Sequence, residues 1–366
     1  MAPSSLITRL STDELVPLLD GDPDLFLLDV REPDEVLEWS IRGVHNIPLD
    51  ELRARVDEVP AGERIVVICA KGSRALQGAQ ILAEYAMASA VLEGGMSAWT
   101  STYDSVEGEF AGATVVQLRR RGKGCLSYLI GAGTSAIAID PSLDVEQYVK
   151  VAIHHGWTIS YVLDTHLHAD HISGARKLAD STGAALWLNP SDPYVFEFSH
   201  LRDGGQFELA PGVSLRVSSV SVPGHTEGST MYQLGDVAVF TGDTLFLESV
   251  GRPDLADQAE HFAHSLYRSL HERILPLDDD ILVFPAHYGP VVDVHAGSFV
   301  TRRLGDLRPA LPALALDESD FVAWAIENVK DRPPNYQHIV AINAGVENLS
   351  ESAPELELGP NRCAIA

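Results

Sequence analysis

Over its first hundred residues the chain alternates short apolar runs with amphipathic stretches. Residues 25–30, 65–69 and 90–92 are almost wholly apolar. Unbroken runs of that length mark strands buried on both faces of a parallel sheet. Ser11 and Glu14 form a capping-box pattern ahead of Leu15, Leu18 and Leu19, which predicts a helix. Residues 35–40 predict a short helical segment and residues 73–85 a longer one. Strands alternating with helices predict an α/β sheet whose functional groups lie at the carboxyl ends of its strands. Residues 103–113, with Gly108, Gly112 and several acidic and serine positions, read as a break. The expected division is therefore a first domain over 1–105, a linker over 106–112 and a second domain over 113–366.

In the second part, residues 115–118, 125–130 and 135–140 predict strands, with Gly131 and Gly133 turning between the last two. A helix is expected over 144–155, a buried strand over 159–163 and a helix over 173–182 with Ser173 as its cap. Further strands are expected at 185–188, 213–217, 230–234, 237–240 and 281–284, and helices at 261–275, 301–307 and 318–329. Pro333, Pro334, Asn335 and Tyr336 then break the pattern into a covering tail. The basic run over 119–123 reads as a solvated strand end, or as a patch that docks the acidic first domain.

Composition narrows the classes of partner. The 366 residues carry 26 basic and 52 acidic side chains, a formal charge of −26. That balance disfavours nucleic acid and anionic membrane surfaces. No apolar run approaches the ~18 residues of a membrane span, and no secretory signal is visible at the amino end. Three scattered cysteines, Cys69, Cys125 and Cys363, do not make a disulfide framework. A reducing cytoplasm is the expected location, and a thiol there can be a working nucleophile.

Two stretches carry chemistry. Cys69 leaves an apolar strand and is followed by Lys71, Gly72 and Arg74. Backbone amides wrapping toward it at a helix start, with the two basic side chains, would stabilise a thiolate or a bound anion. The second stretch holds His166, His168, Asp170 and His171 on a strand-to-helix loop, where side chains can converge. Gly224-His225-Thr226, Thr241-Gly242-Asp243-Thr244 and Pro285-Ala286-His287 supply matching partners, each after an apolar run. Imidazole with carboxylate suits zinc, iron or manganese. Cys125 reads as a packed strand residue, and His154, His155, His261, His264 and His271 as helix-end or surface groups.

The first part resembles the rhodanese family through Leu28-Asp29-Val30-Arg31-Glu32-Pro33, Asn46-Ile47-Pro48-Leu49 and the run from Leu92 to Trp99. The resemblance implies that Cys69 carries a persulfide, with four residues between it and Arg74, the sulfur-sized loop of that family. Asp29 and Arg31 are then structural, and Ser40 stands where the family usually has histidine. The second part, from about residue 110 to 345, resembles the metallo-β-lactamase superfamily, with its motif elements in order. The implied architecture is an α/β rhodanese domain followed by an αβ/βα metallo-β-lactamase sandwich.

Two site models use the same residues. With two metals, His166, His168 and His225 hold one ion, Asp170, His171 and His287 the other, and Asp243 bridges. With one metal, His166, His225 and Asp243 form a two-histidine, one-carboxylate face with open positions, and His168, Asp170, His171 and His287 orient it. The stretches 241–246, 251–255 and 265–271 and the Pro-Pro-Asn-Tyr tail are similar to the persulfide dioxygenase branch. That resemblance implies about one Fe(II) per chain, and glutathione persulfide or a related low-molecular-weight persulfide oxidised by dioxygen to sulfite. Thiosulfate or sulfite would serve the rhodanese part. Arg252 is assigned to a substrate carboxylate or to holding the pocket, against an internal pair with Asp254. Tyr288, one position earlier than the tyrosine of that branch, is assigned beside it. The rivals are a glyoxalase-II-like thioester hydrolase with two zinc ions, and a non-catalytic sulfur carrier. A homo-oligomer is expected.

Overall fold

The computed structural model describes residues 6–219, 222–255, 258–289, 292–329, 331–332, 335–350 and 353–365. The expected break at Pro333 and Pro334 lies outside them. The chain divides into two compact units. The first is Met1–Asp104 with Arg120–Gly124 and Leu358–Pro360, and the second is Ser105–Arg119, Cys125–Glu357 and Asn361–Ala366.

The first unit is an α/β sheet. Its strands are β1 (Ile7–Leu10), β2 (Leu25–Asp29), β3 (His45–Asn46), β4 (Arg64–Ile68) and β5 (Ser89–Leu92), in the order β1-β5-β4-β2-β3. Every pairing is parallel. The helices are α1 (Thr12–Gly21), α2 (Pro33–Glu38), α3 (Ser73–Glu84) and α4 (Gly95–Trp99). The predicted capping box opens α1: Glu14 N–H donates to Ser11 Oγ at 3.3 Å, and Ser11 N–H donates back to Glu14 Oε2 at 2.8 Å. Apolar side chains lie on both faces of the sheet, Val67 and Ala79 on one and Val66 and Trp99 on the other. Residue 69 thus leaves the central strand at its carboxyl end.

The second unit is a sandwich of two sheets. The first holds β6 (Tyr103–Phe110), β7 (Ala113–Arg120), β8 (Cys125–Ala132), β9 (Ser135–Ile139), β10 (Thr158–Leu163), β11 (Ala185–Leu188) and β12 (Ser199–His200) in consecutive order. Helices α5 (Glu146–His155) and α6 (Ala175–Thr182) join β9 to β10 and β10 to β11. The second sheet holds β13 (Gln206–Ala210), β14 (Val213–Ser219), β15 (Met231–Leu234), β16 (Ala238–Gly242), β17 (Leu282–Pro285) and β18 (Arg302–Arg303). Helices α7 (Ala259–Ser269), α8 (Leu304–Ala310), α9 (Glu318–Glu327) and α10 (Tyr336–Ala344) complete the unit. Tyr128, Phe240 and Phe284 pack ring against ring in the main core, with centroids 4.8–5.8 Å apart. A second cluster, with Tyr148, Val162 and Leu178, seats α5 and α6 on the first sheet. The expected αβ/βα sandwich is present. Among the described residues no helix is long and apolar enough to cross a membrane.

Three expectations change. The stretch read as a linker over 106–112 is mostly strand, because β6 runs through it as the edge of the first sheet. Ser105, Glu107 and Glu109 fall on exposed positions of that edge, which hides the strand in the sequence. The tail expected after Tyr336 begins as helix α10. The basic run is not solvated. Arg119 is buried and donates to the carbonyls of His295 and Ser298 at 3.0 and 2.6 Å. Arg121, within the first unit, pairs with Asp20 at 3.0 Å and Asp104 at 2.8 Å, all three largely shielded from solvent. Removing one partner of a buried pair leaves the other charges uncompensated. Arg121→Ala is therefore expected to destabilise the first unit by about 3–5 kcal/mol, read as a lowered urea midpoint of the full chain.

Candidate metal centre and thiol loop

The metal-type side chains come from strand ends. β10 delivers the loop with His166, His168, Asp170 and His171 and is followed by α6. β16 and β17 are parallel neighbours and deliver Asp243 and His287, one and two residues past their respective ends. His225 sits on the connection between β14 and β15. The end of β16 comes so close to the first loop that a Cβ on Gly242 would lie 2.6 Å from Thr165 Oγ1, and Gly242 has φ +55°. Only glycine fits there without strain.

His166, His225 and Asp243 converge. Asp243 Oδ2 lies 3.5 Å from His166 Nε2 and 3.4 Å from His225 Nε2. All three atoms are buried and none has a hydrogen-bond partner. One such atom costs about 1–3 kcal/mol, so three facing a common point demand a ligand. The opposite ring nitrogens are committed. His225 Nδ1 lies 3.0 Å from the Arg252 carbonyl, which can only accept, so Nδ1 carries the proton. Thr165 Oγ1 donates to the Asp140 carboxylate at 2.9 Å and is left to accept from His166 Nδ1, also at 2.9 Å. Both Nε2 atoms therefore present lone pairs, the form a metal takes. Burial also holds both imidazoles below the usual histidine range, which favours the neutral ring. This donor set fits an ion of the iron, zinc or manganese class.

The other four motif residues stand beside it. His168 Nε2 lies 3.1 Å from Asp140 Oδ1, while its Nδ1 is buried without a partner. His287 Nδ1 is 2.6 Å from Asp243 Oδ1, and its Nε2 is 3.0 Å from Asp170 Oδ2. His171 Nδ1 is 3.0 Å from Asp170 Oδ1. All are buried. The helix-borne His154, His155, His261, His264 and His271 join none of the described clusters.

Several supports were invisible in the sequence. Asp192 accepts from Leu167 N–H and Gly228 N–H, both at 2.9 Å, and so ties the His166 loop to the segment after His225. Asn343, on α10, donates to the carbonyls of His168 and His171 at 2.9 and 2.8 Å, and its Oδ1 accepts from Ser173 N–H at 2.9 Å. Glu357 accepts from Ile172 N–H at 2.5 Å. Cys125, read as a packed strand residue, has its Sγ 3.6 Å from Asp170 Oδ2. Cys363 clusters with Asp243 and His287. Their neighbours in sequence are ordinary strand or tail residues, so no local pattern marks them.

Of the readings open for Arg252, the structure shows the internal pair with Asp254. Arg252 pairs bidentately with Asp254 at 2.7 and 2.9 Å, and its Nη1 donates to the carbonyls of Asp331 and Arg362. At 1% exposure it braces the chain. Tyr288 is half-buried and packs against the main core.

The thiol loop follows β4. Cys69 is buried, and Gly72 N–H points at its Sγ at 3.1 Å, made possible by φ +95° at Gly72. Asp29 and Arg31 form the expected structural pair at 2.7 Å. Lys71 is exposed. Arg74 is engaged with Glu35 through two bonds of 2.7 Å, so it holds the loop to α2 as well as placing positive charge near Cys69.

Two outcomes follow. Asn343→Ala leaves two buried carbonyls and one amide of the metal loop unpaired. It is expected to lower metal affinity about 10–100-fold, read by chelator competition, with helix content retained. The hydrogen bond from Arg74 holds the Glu35 carboxyl down at about 2. A depressed carboxylate stabilises the fold above its unfolded value and loses that contribution as pH falls toward the folded value. Glu35→Gln should therefore melt below the parent at pH 7, and the two should converge near pH 2.

Comparison with known proteins agrees with this geometry. The family profile of the metallo-beta-lactamase superfamily matches residues 120–287, and that of the rhodanese-like domain matches residues 11–102. The chain is 32% identical over 205 residues to the mitochondrial persulfide dioxygenase of Homo sapiens, covering 54% of this chain and 74% of that protein. It is 34% identical over 160 residues to the hydroxyacylglutathione hydrolase of Methylococcus capsulatus, covering 43% and 58%. A crystal structure of the ETHE1 protein from Myxococcus xanthus superposes with TM-score 0.56 at 26% identity, covering 63% of this chain and 98% of that one. The chain is a rhodanese-like domain followed by a member of the metallo-beta-lactamase superfamily, on the branch that includes the persulfide dioxygenases.

Proposed function

We propose that the chain oxidises glutathione persulfide, or a related low-molecular-weight persulfide, to sulfite, and that its first domain exchanges sulfane sulfur through Cys69. The observation that carries this reading is the trio of partnerless buried donors, His166 Nε2, His225 Nε2 and Asp243 Oδ2. Two imidazoles and one carboxylate are the set expected of a non-haem Fe(II) oxygenase with open positions. About one Fe(II) held there would supply the redox chemistry toward dioxygen and a persulfide sulfur. The chain's own residues do the positioning. Arg252 O and Thr165 Oγ1 fix the two imidazole tautomers, and His287 Nδ1 holds the second oxygen of Asp243.

The first domain supports a sulfur substrate. Gly72 N–H aimed at Cys69 Sγ is suited to stabilising a thiolate or persulfide anion. Lys71 and Arg74 add positive charge to the same loop, with Arg74 anchored on Glu35. Thiosulfate or sulfite are the small anions matched to such a cradle.

A glyoxalase-II-like thioesterase with two zinc ions is the second reading. It is favoured by the similarity to a hydroxyacylglutathione hydrolase and by the presence of all seven motif residues. It leaves the thiol domain without a role.

Anaerobically purified, iron-loaded protein is expected to consume oxygen when glutathione persulfide is added, and to lose that uptake on Asp243→Ala. Cys69→Ser should abolish thiosulfate sulfurtransfer and keep the oxygen uptake with added persulfide. Hydrolysis of a glutathione thioester without oxygen uptake would overturn the dioxygenase reading in favour of the hydrolase.

A further inference from the structure

The second unit leaves an apolar patch in water behind the metal loop. Val195, Val346 and Leu349 are 64%, 67% and 46% exposed. They belong to one place. Val195 N–H donates to the Ala344 carbonyl at 2.9 Å, and Leu349 lines a small cavity together with Tyr194 and Phe196. Tyr194, Phe196 and Phe198 pack ring against ring with centroids 5.4–6.0 Å apart, each only half-buried. Gly345, just past α10, seats this stack: a Cβ there would lie 2.7 Å from the Phe196 ring and 3.1 Å from Arg176 Nη1. Apolar surface gathered into one exposed patch marks an interaction site. Beside it runs a groove of about 960 Å³ lined by Arg176, Lys177, Asp180, Phe196 and Glu197. The Arg176 guanidinium lies over the Phe196 ring at 4.6 Å. Arg176, Lys177, Asp180 and Glu197 form no ion pair among the described residues. Two basic and two acidic groups thus stand in balance there, on a chain whose formal charge is −26.

We propose that this patch and groove are where a second copy of the chain docks, across a two-fold axis. Charge selects that occupant. Two copies carrying −26 each repel as wholes, and a locally balanced face is where that repulsion is least. A two-fold axis lays the same patch on itself, which sets the basic pair of one protomer against the acidic pair of its partner. A strongly charged partner of either sign would gain nothing from a balanced groove. Apolar and aromatic side chains at the centre, an arginine anchor and a polar rim are also the make-up of a protein interface.

The same face is the outer side of the metal loop's support. Asn343, on α10, donates to the carbonyls of His168 and His171, and Ile339 and Ile342 pack with Ile172. Helix α6, which carries Arg176, Lys177 and Asp180, follows that loop. A partner seated across α6 and the segment after α10 restrains the loop from behind. Dimer formation and metal binding then strengthen one another. This coupling rests on the metal reading of the loop, while the docking face does not.

Sedimentation velocity on the full chain tests the face. The parent is expected to move as two chains at about 20 μM and to separate on dilution toward the nanomolar range. Val346→Asp combined with Leu349→Asp should leave single chains at the same concentration. Glu197→Lys makes the groove net positive on both protomers, and it should weaken the dimer more at about 0.05 M than at about 0.5 M salt. Adding Lys177→Glu restores the balance and should restore the dimer. A parent that sediments as one chain at about 100 μM, or a dimer that survives the double aspartate variant, would overturn the assignment. If that variant does not fold, hydrogen exchange of the parent decides. Amides over residues 194–198 and 343–349 are expected to lose protection on dilution, and protection independent of concentration overturns the face. Chelator competition reads the coupling separately: metal affinity should rise about tenfold from single chains to dimer. An unchanged affinity with the dimer intact would overturn the coupling and leave the docking face standing.

Discussion

Three buried atoms without hydrogen bonds govern this structure. His166 Nε2, His225 Nε2 and Asp243 Oδ2 are removed from water and face one another's space. Such an arrangement is unfavourable unless something binds, and the surrounding protein is built to keep it from collapsing. Each of the three is held from behind: His166 by Thr165 and Asp140, His225 by the Arg252 carbonyl, and Asp243 by His287. Those supports prevent the donors from turning to satisfy themselves. The strength of the site therefore lies in polar groups that touch no substrate.

The supports come from distant parts of the chain. Asp192 joins two loops, and Asn343 on α10 fixes the backbone of the His168–His171 turn. Arg252 binds the carbonyls of Asp331 and Arg362, and its own amide donates to the Cys363 carbonyl at 2.9 Å. The carboxyl-terminal segment is thus part of the centre. A chain cut before α10 would leave the carbonyls of His168 and His171 without the Asn343 donor.

What the sequence revealed follows from range. The motif residues were legible because each follows an apolar strand, and strand ends are where an α/β arrangement gathers side chains. Asp29 with Arg31 and Ser11 with Glu14 were legible because their partners lie two or three positions away. Asn343, Asp192 and Asp140 were not, because each acts through tertiary contacts across 25 to 175 positions. Cys125 is the packed strand residue expected, beside the core residues Leu126, Tyr128 and Ile130. Its thiol is set apart only by the strand register that puts it opposite His287. The edge strand over residues 103–110 was missed because its polar positions face outward and resemble a linker. The pair of Arg252 with Asp254, only two positions away, was legible as one of its alternatives.

The two domains make chemical sense together. One presents a thiol to a backbone amide that suits sulfur anions, and the other gathers two histidines and one carboxylate at one buried point. The central claim is that this trio binds one iron with room for an external ligand. It is tested most directly by nitric oxide added to the anaerobic ferrous protein and read by electron paramagnetic resonance. The account predicts a half-integer-spin ferrous–nitrosyl signal of about one spin per chain, altered by added persulfide and absent in Asp243→Ala. Iron that binds but gives no such signal, or a signal that survives Asp243→Ala, would contradict it.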